Sequence, residues 1–343
     1  RLRKEYPDAD CTLDYDDAWK LLVSVRLAAQ CTDARVNVVV EKLYEKYPDV
    51  KALAECPEEK LMKLWEGLGY YNRVRNMQKA ARVIVSEYGG DFPADYEKLL
   101  SLPGLGHYTA GAVSSIAFGI PMPAVDGNVL RVLSRVTASY EDVLKQSVKT
   151  AMEAEVKKII PADRAGDFNQ ALIEIGAIVC VPNGKAKCEI CPLAFLCEAY
   201  KKGIVDELPK KKVKRERRIE DRTILILKEG DRVGIRKRPS KGLLAGLYEL
   251  PGLEGHLSEE EVLAQVKAWG YAPLRILPLT GAKHIFSHIE WHMTGYEVLV
   301  DELEKTNEEQ FLFIHPDEIE KSYSIPSAFE VYTRYAGIKK EDI

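Results

Sequence analysis

Residues 102–128, LPGLGHYTAGAVSSIAFGIPMPAVDGN, combine a turn that can grip an anion with a carboxylate that can stabilise a positive charge. Gly104 and Gly106 permit positive φ and close backbone approach. YTAGAV then opens a helix whose free N–H groups face an incoming anion such as a phosphate. Asp126, twenty residues beyond Gly106, sits in PAVDGN between two apolar segments. Under a sugar it could stabilise an oxocarbenium-like cation while a glycosidic bond breaks. Asp is also favoured at a helix N-cap, so an ordinary helix connector explains the same residues.

A second constellation lies downstream. Of seven cysteines, Cys11, Cys31 and Cys56 are scattered, whereas Cys180, Cys188, Cys191 and Cys197 form C-x7-C-x2-C-x5-C. The opening RLRKEYPDADC has no secretory pattern, and a disulfide framework does not suit so large a chain. Four thiolates this close read as a metal site, either a [4Fe–4S] cluster or structural zinc. Zinc sites commonly carry two close pairs, and only Cys188 and Cys191 make one. Pro192 after the third cysteine and the wide last gap favour the cluster.

These groups need elements to hold them. At 343 residues, 46% hydrophobic and 30% charged, the composition is globular and the length suggests two domains. The longest weakly polar stretch, residues 110–125, contains Ser114, Ser115, Pro121 and Pro123 and is too short for a bilayer span. A net charge of -4 does not advertise a nucleic-acid binder, but binding needs only a local basic face. KKKVKRERR at residues 210–218 reads first as a solvated linker, with phosphate contact as a secondary role. Residues 16–200 carry apolar residues at three- and four-residue steps, punctuated by Pro48, Pro57, Pro93, Pro103 and Pro161, which predicts an all-α domain. Beyond residue 205, TILILKEGDRVGIRKR predicts a hairpin turning at Gly230 and Asp231. LYELPGL, HIEWHMTGYEVLV and QFLFIHPDEI predict further strands, and SEEEVLAQVKAWG a helix. The expected layout is a helical domain over residues 1–205, a basic linker over 206–222 and an α+β module over 223–343.

With these features in this order, the chain resembles the helix–hairpin–helix DNA glycosylases, and more narrowly the MutY-type adenine DNA glycosylases. The matching segments are WEGLGYYNRVRN, LPGLGHYTAGAV, PAVDGNVLRVLSR, FNQALIEIGAIVC, the cysteine cluster, IRKRPSKGLLAGLYELPG and FSH. The resemblance implies an all-α glycosylase domain with an iron–sulfur cluster, followed by a nudix-like domain. It implies base-excision repair of duplex DNA carrying an 8-oxoguanine mispair, with adenine removed opposite the lesion. Flipping a base leaves a hole in the stack, and Gln30 and Tyr70 stand where the family places its wedges. Gly104, Gly106 and His107 would contact DNA, and Asp126 would be the carboxylate, positioned by Asn128. Relatives that also cut the backbone carry a Lys where this chain has Tyr108. A phenol cannot form a Schiff base, so a monofunctional enzyme is expected. Ser287, supported by Phe286 and His288, would read the oxidised purine. SEEEVLAQVKAWG lacks the Arg and paired Glu of a nudix hydrolase. The location implied is the cytoplasm of a bacterium, at the nucleoid; no membrane is involved and the sequence names no protein partner.

One position departs from that family. Its early helix carries a Glu that protonates the leaving adenine, and here VSVRLAAQCTD puts Val25 there, or Arg26 after a slip of one. YPDADCTLDY and AAQCTD are more similar to endonuclease III relatives. Asp33, His107 or Tyr108 could supply the proton instead. Alternatively the base removed needs none, as for thymine, uracil or another lesion-paired base. A third reading is a module that binds mispairs or senses redox state without cleaving. The first cysteine gap is seven where the family has six, which a bulge at residues 182–184 absorbs.

Overall fold

The computed structural model describes residues 15–28, 33–211, 216–301 and 310–338. Two compact units divide the chain, one of Arg1–Cys56 and Arg75–Val213, the other of Pro57–Val74 and Lys214–Ile343. Among the described residues no helix is long and apolar enough to cross a membrane.

In order, the helices of the first half are α1 Ala18–Ala28, α2 Asp33–Lys46, α3 Val50–Glu55, α4 Glu58–Leu64, α5 Asn72–Tyr88, α6 Tyr96–Ser101, α7 His107–Phe118, α8 Gly127–Val136, α9 Gln146–Ile159, α10 Ala165–Glu174 and α11 Glu198–Lys202. Caps set several boundaries. Asp49 and Asp95 accept from the third residue beyond, satisfying helix-start N–H groups worth about 1 kcal/mol each. Val129, Val132, Val156, Leu172 and Ile175 meet in a core under α8, α9 and α10. A single π turn, Ile175–Val179, follows α10 and leads into Cys180.

The C-terminal unit is built on a sheet of β1 Arg218–Glu229, β2 Arg232–Lys237, β3 Tyr248–Glu249, β4 Gly252–Glu254, β5 Ala272–Ile285, β6 Ile289–Asp301 and β7 Leu312–Ile314. Its order is β3-β2-β1-β6-β5, with β1 and β6 parallel from Arg218↔Ile289 to Lys228↔Leu299. Alternate residues of β1 face opposite cores. Ile224 and Ile226 pack with Trp291, Met293 and Tyr332, and Leu225 and Leu227 pack with Val262, Val266 and Val298. Helices α12 Glu259–Ala268, α13 Pro316–Ser322 and α14 Glu330–Tyr335 cover the faces. A capping box closes the start of α12, with Ser258 and Glu261 bonded reciprocally.

The β1–β2 hairpin turns where expected, with Glu229 opposite Arg232. The sheet starts at Arg218, inside the stretch read as linker, because Ile219 and the residues after it join the β6 ladder. The 14-residue β5 was not anticipated. Pro273 and Pro278 weaken its strand signal, yet both are tolerated on an edge strand, which β5 is.

Candidate functional site

The hairpin is built on one glycine rather than two. Gly104 has φ 76°, and a Cβ there would lie 2.5 Å from the Asn76 Cβ. The expectation of positive φ at Gly106 is corrected, since its φ is -110° and open space surrounds it. Gly106 matters instead as the N-cap of α7, where it supplies no side-chain bond and leaves that helix end to be satisfied from outside. Arg26 Nη1 donates to the Gly104 carbonyl at 2.7 Å, fixing the turn against α1. His107 is exposed at the first position of α7, and its Nδ1 pairs with the Tyr96 hydroxyl at 2.8 Å.

Asp126 proves to be an N-cap as well as a candidate for chemistry. One carboxylate oxygen accepts from Val129 N–H at 2.8 Å and the other from Asn128 Nδ2 at 2.9 Å. Burial pushes its carboxyl up, opposed by those two hydrogen bonds. The segment that delivers it is clamped on both sides. A Cβ on Gly111 would fall 1.9 Å from the Pro123 carbonyl oxygen, so α7 lies directly on that segment. From α10, buried Asn169 accepts from Ala124 N–H at 3.0 Å and donates to the Met122 carbonyl and Ser115 Oγ, each at 2.8 Å.

Behind Asp126, two buried arginines of α8 run toward the cysteines. Arg131 donates to Asn128 Oδ1 at 2.8 Å, the Gly176 carbonyl at 2.6 Å and the Cys180 carbonyl at 2.7 Å. One turn on, Arg135 donates to the Leu208 carbonyl at 2.9 Å and to Cys180 Sγ at 3.2 Å. Gly176 lies against Asn128, where a Cβ would come within 2.5 Å of its Cβ. Such guanidiniums tolerate burial because nearly every N–H finds an acceptor. Sequence reading missed Arg131, Arg135, Asn169 and Gly176. The arginines left a trace, as cations on the face of α8 that otherwise carries Val129 and Val132 into the core.

Cys180, Cys188, Cys191 and Cys197 line one pocket with Arg135, Lys187, Tyr200 and apolar side chains, and all four are free of disulfides. Burial pushes the Cys188 and Cys191 thiols up, and the charges of neighbouring cysteines push further. A bound cationic group would reverse that balance. Among the described residues no three His, Cys, Asp or Glu side chains converge on a single-ion site. As a donor set, four unbridged thiols around one pocket suit a thiolate-bound metal group.

The remaining expected residues are dispersed. Tyr108 packs half-buried beside the cluster of Leu21, Val25, Ala112 and Ala124, so the position expected to carry an acid is an apolar wall against the Tyr108 ring. Gln30 lies outside the described residues, and Asp33 opens α2. Ser287 and His288 form the exposed tip of the β5–β6 turn, closed by Phe286 N–H to the Ile289 carbonyl at 2.8 Å. Phe286 roots that tip by edge-on packing against Trp291 at 4.9 Å. Tyr70 belongs to the C-terminal unit. Glu261 is committed to the α12 cap.

A helical hairpin with a carboxylate behind it, followed by a covered sheet, defines a two-module protein. Residues 23–161 match the model for HhH-GPD superfamily base excision DNA repair proteins, and residues 222–334 match that of the NUDIX domain. An endonuclease III of Bacillus subtilis is 36% identical over 206 residues, covering 58% of this chain and 91% of that protein. A solved endonuclease III–DNA complex aligns with TM-score 0.52 and 37% identity, over 59% of this chain and 93% of that one. The chain belongs to the helix–hairpin–helix superfamily of base excision DNA repair proteins. An adenine DNA glycosylase of Mus musculus is 33% identical over 336 residues; the match takes in 83% of this chain but 65% of that protein, just under two thirds of its length.

Proposed function

We propose that this protein is a monofunctional DNA glycosylase of base-excision repair that acts on mispairs containing 8-oxoguanine and nominally removes the adenine opposite. The observation that carries the reading is Asp126, a half-buried carboxylate held by Val129 N–H and Asn128 Nδ2 behind the hairpin. With the nucleotide flipped, the C1′–N bond breaks and its electron pair leaves with the base. Asp126 stabilises the cation left on the sugar, and water then bonds to C1′ and releases a proton. Tyr108, with no amine, forms no imine, so the phosphodiester backbone is left uncut. Phe286, Ser287 and His288 present a tip suited to reading the oxidised purine.

A second reading is favoured by Val25. With apolar side chains around it and Tyr108 beside it, this wall delivers no carboxylic proton to the departing base. That suits a base able to leave without protonation, such as thymine or uracil opposite 8-oxoguanine. Single-turnover cleavage of duplexes carrying 8-oxoguanine opposite A, C, G and T separates the two. Fastest release of A supports the first reading, and fastest release of T the second. No release from any of the four sinks both and leaves a mismatch-binding or redox module.

Cys180, Cys188, Cys191 and Cys197 would hold a [4Fe–4S] cluster, which supplies a covalent fastening and a redox-active centre. Broad visible absorbance with about four irons per chain is the expected assay result. A colourless protein holding one zinc would assign the site to zinc.

A further inference from the structure

The turn that presents Tyr70 lies in the C-terminal unit, with the 286–288 tip. It is internally shaped by Trp65, whose Nε1 donates to the Gly69 carbonyl at 3.2 Å, and by Tyr71, whose hydroxyl accepts from Gly67 N–H at 3.4 Å. The backbone passes through positive φ at Gly67, Gly69 and Tyr70, at 83°, 70° and 47°. For a tyrosine that is strained backbone, which persists only where the surroundings enforce it. Tyr70 is 57% exposed, with the Arg73 guanidinium 4.9 Å from its ring centroid.

Two charged residues enforce the turn from its base. Glu66 accepts from Ile325 N–H at 2.8 Å through one oxygen and from Lys63 Nζ at 2.5 Å through the other. Lys63 also donates to the Tyr323 carbonyl at 3.1 Å. At 14% exposure the Glu66 side chain is largely shielded from water, so these bonds are strong and costly to break. Glu59 pairs with Lys237 at 2.7 Å, but with Glu59 64% exposed that pair contributes little.

We infer that Glu66 and Lys63 are positioning residues that bind the Tyr70 turn to residues 323–325. The inserting aromatic and the 286–288 tip are then presented by one body. The inference rests on the reading that the chain acts on duplex DNA, and it gives the sheet unit a second task besides inspecting the lesion.

Its test uses the full chain. In hydrogen exchange without DNA, Glu66→Ala is expected to speed residues 65–71 and 323–326 together, by about tenfold or more. Glu66→Gln keeps the bond from Ile325 N–H through its amide oxygen but loses the Lys63 pair, so its exchange should fall between the parent and Glu66→Ala. Should Glu66→Ala not fold, Lys63→Met gives the same pattern from the other partner. Faster exchange at 323–326 with 65–71 unmoved overturns the inference. The second readout is 2-aminopurine fluorescence beside an 8-oxoguanine mispair. Tyr70→Ala should lose most of the binding-induced change, Glu66→Ala the same share, and the double variant no more. A full signal in Glu66→Ala with a lost one in Tyr70→Ala also overturns it. Coupled exchange with a full signal in Tyr70→Ala upholds the tether and removes the insertion reading instead.

Discussion

Asp126→Asn is expected to abolish base release while the chain stays folded and still binds DNA. Asparagine is as good an N-cap as aspartate, so the bond from Val129 N–H survives and α8 keeps its start. What disappears is the negative charge that the proposed mechanism sets against the sugar. Losing one preorganised electrostatic partner in a shielded site costs a factor of about 10^3, or about 4 kcal/mol of barrier. Stability should change little, because the lost bond from Asn128 Nδ2 is offset by removal of a buried charge. Burial raises the Asp126 carboxyl above its unfolded value, so its charge weighs against folding at neutral pH and a neutral amide removes that weight. The same shift sets the pH dependence. Cleavage requires the ionised carboxylate, so the parent rate should climb with pH through a range above that of a free aspartate. Single-turnover rates and fluorescence anisotropy on one duplex check both halves. If Asp126→Asn cleaves within tenfold of the parent, Asp126 is only a cap and the assignment is wrong.

The second large effect is a gain. Val25→Glu should raise adenine release opposite 8-oxoguanine by about 10^2-fold, the lower range for a well-placed general acid. Val25 is 4% exposed among Leu21, Ala112 and Ala124. A carboxyl in that setting is held protonated, as a donor to a leaving base must be. The substitution should cost about 2–3 kcal/mol of stability, since the new polar group meets apolar neighbours. Val25→Gln carries the same cost without the proton and serves as the control. Equal rates in Val25→Glu and Val25→Gln would show that this position never meets the base, and Tyr108 would become the residue to test.

How far the sequence reached depended on whether the signal was local. The Gly104 turn, the Asp126 cap and the gathering of four cysteines around one pocket were legible because turn geometry, capping and close cysteine spacing are set within a few residues. Gly106 was misjudged in φ because two glycines in one turn look alike until neighbours fix them. Asn169, Gly176 and Arg131 act on partners 45 to 54 positions away, as in Asn169 to Ser115 and Arg131 to Gly176, and no local pattern predicts such pairings. Strand β5 was hidden by its prolines. The grouping of Pro57–Val74 with the sheet unit was illegible for the same reason as Asn169, since it rests on Lys63 and Glu66 meeting Tyr323 and Ile325 some 260 residues later.

The Gly111 contact with Pro123, together with the Asn169 clamp on residues 122–124, makes the stretch between hairpin and carboxylate a strut of fixed length. In the proposed function, one end of that strut would meet a backbone phosphate and the other would lie under the sugar, so the strut would act as a calliper for the span from phosphate to C1′.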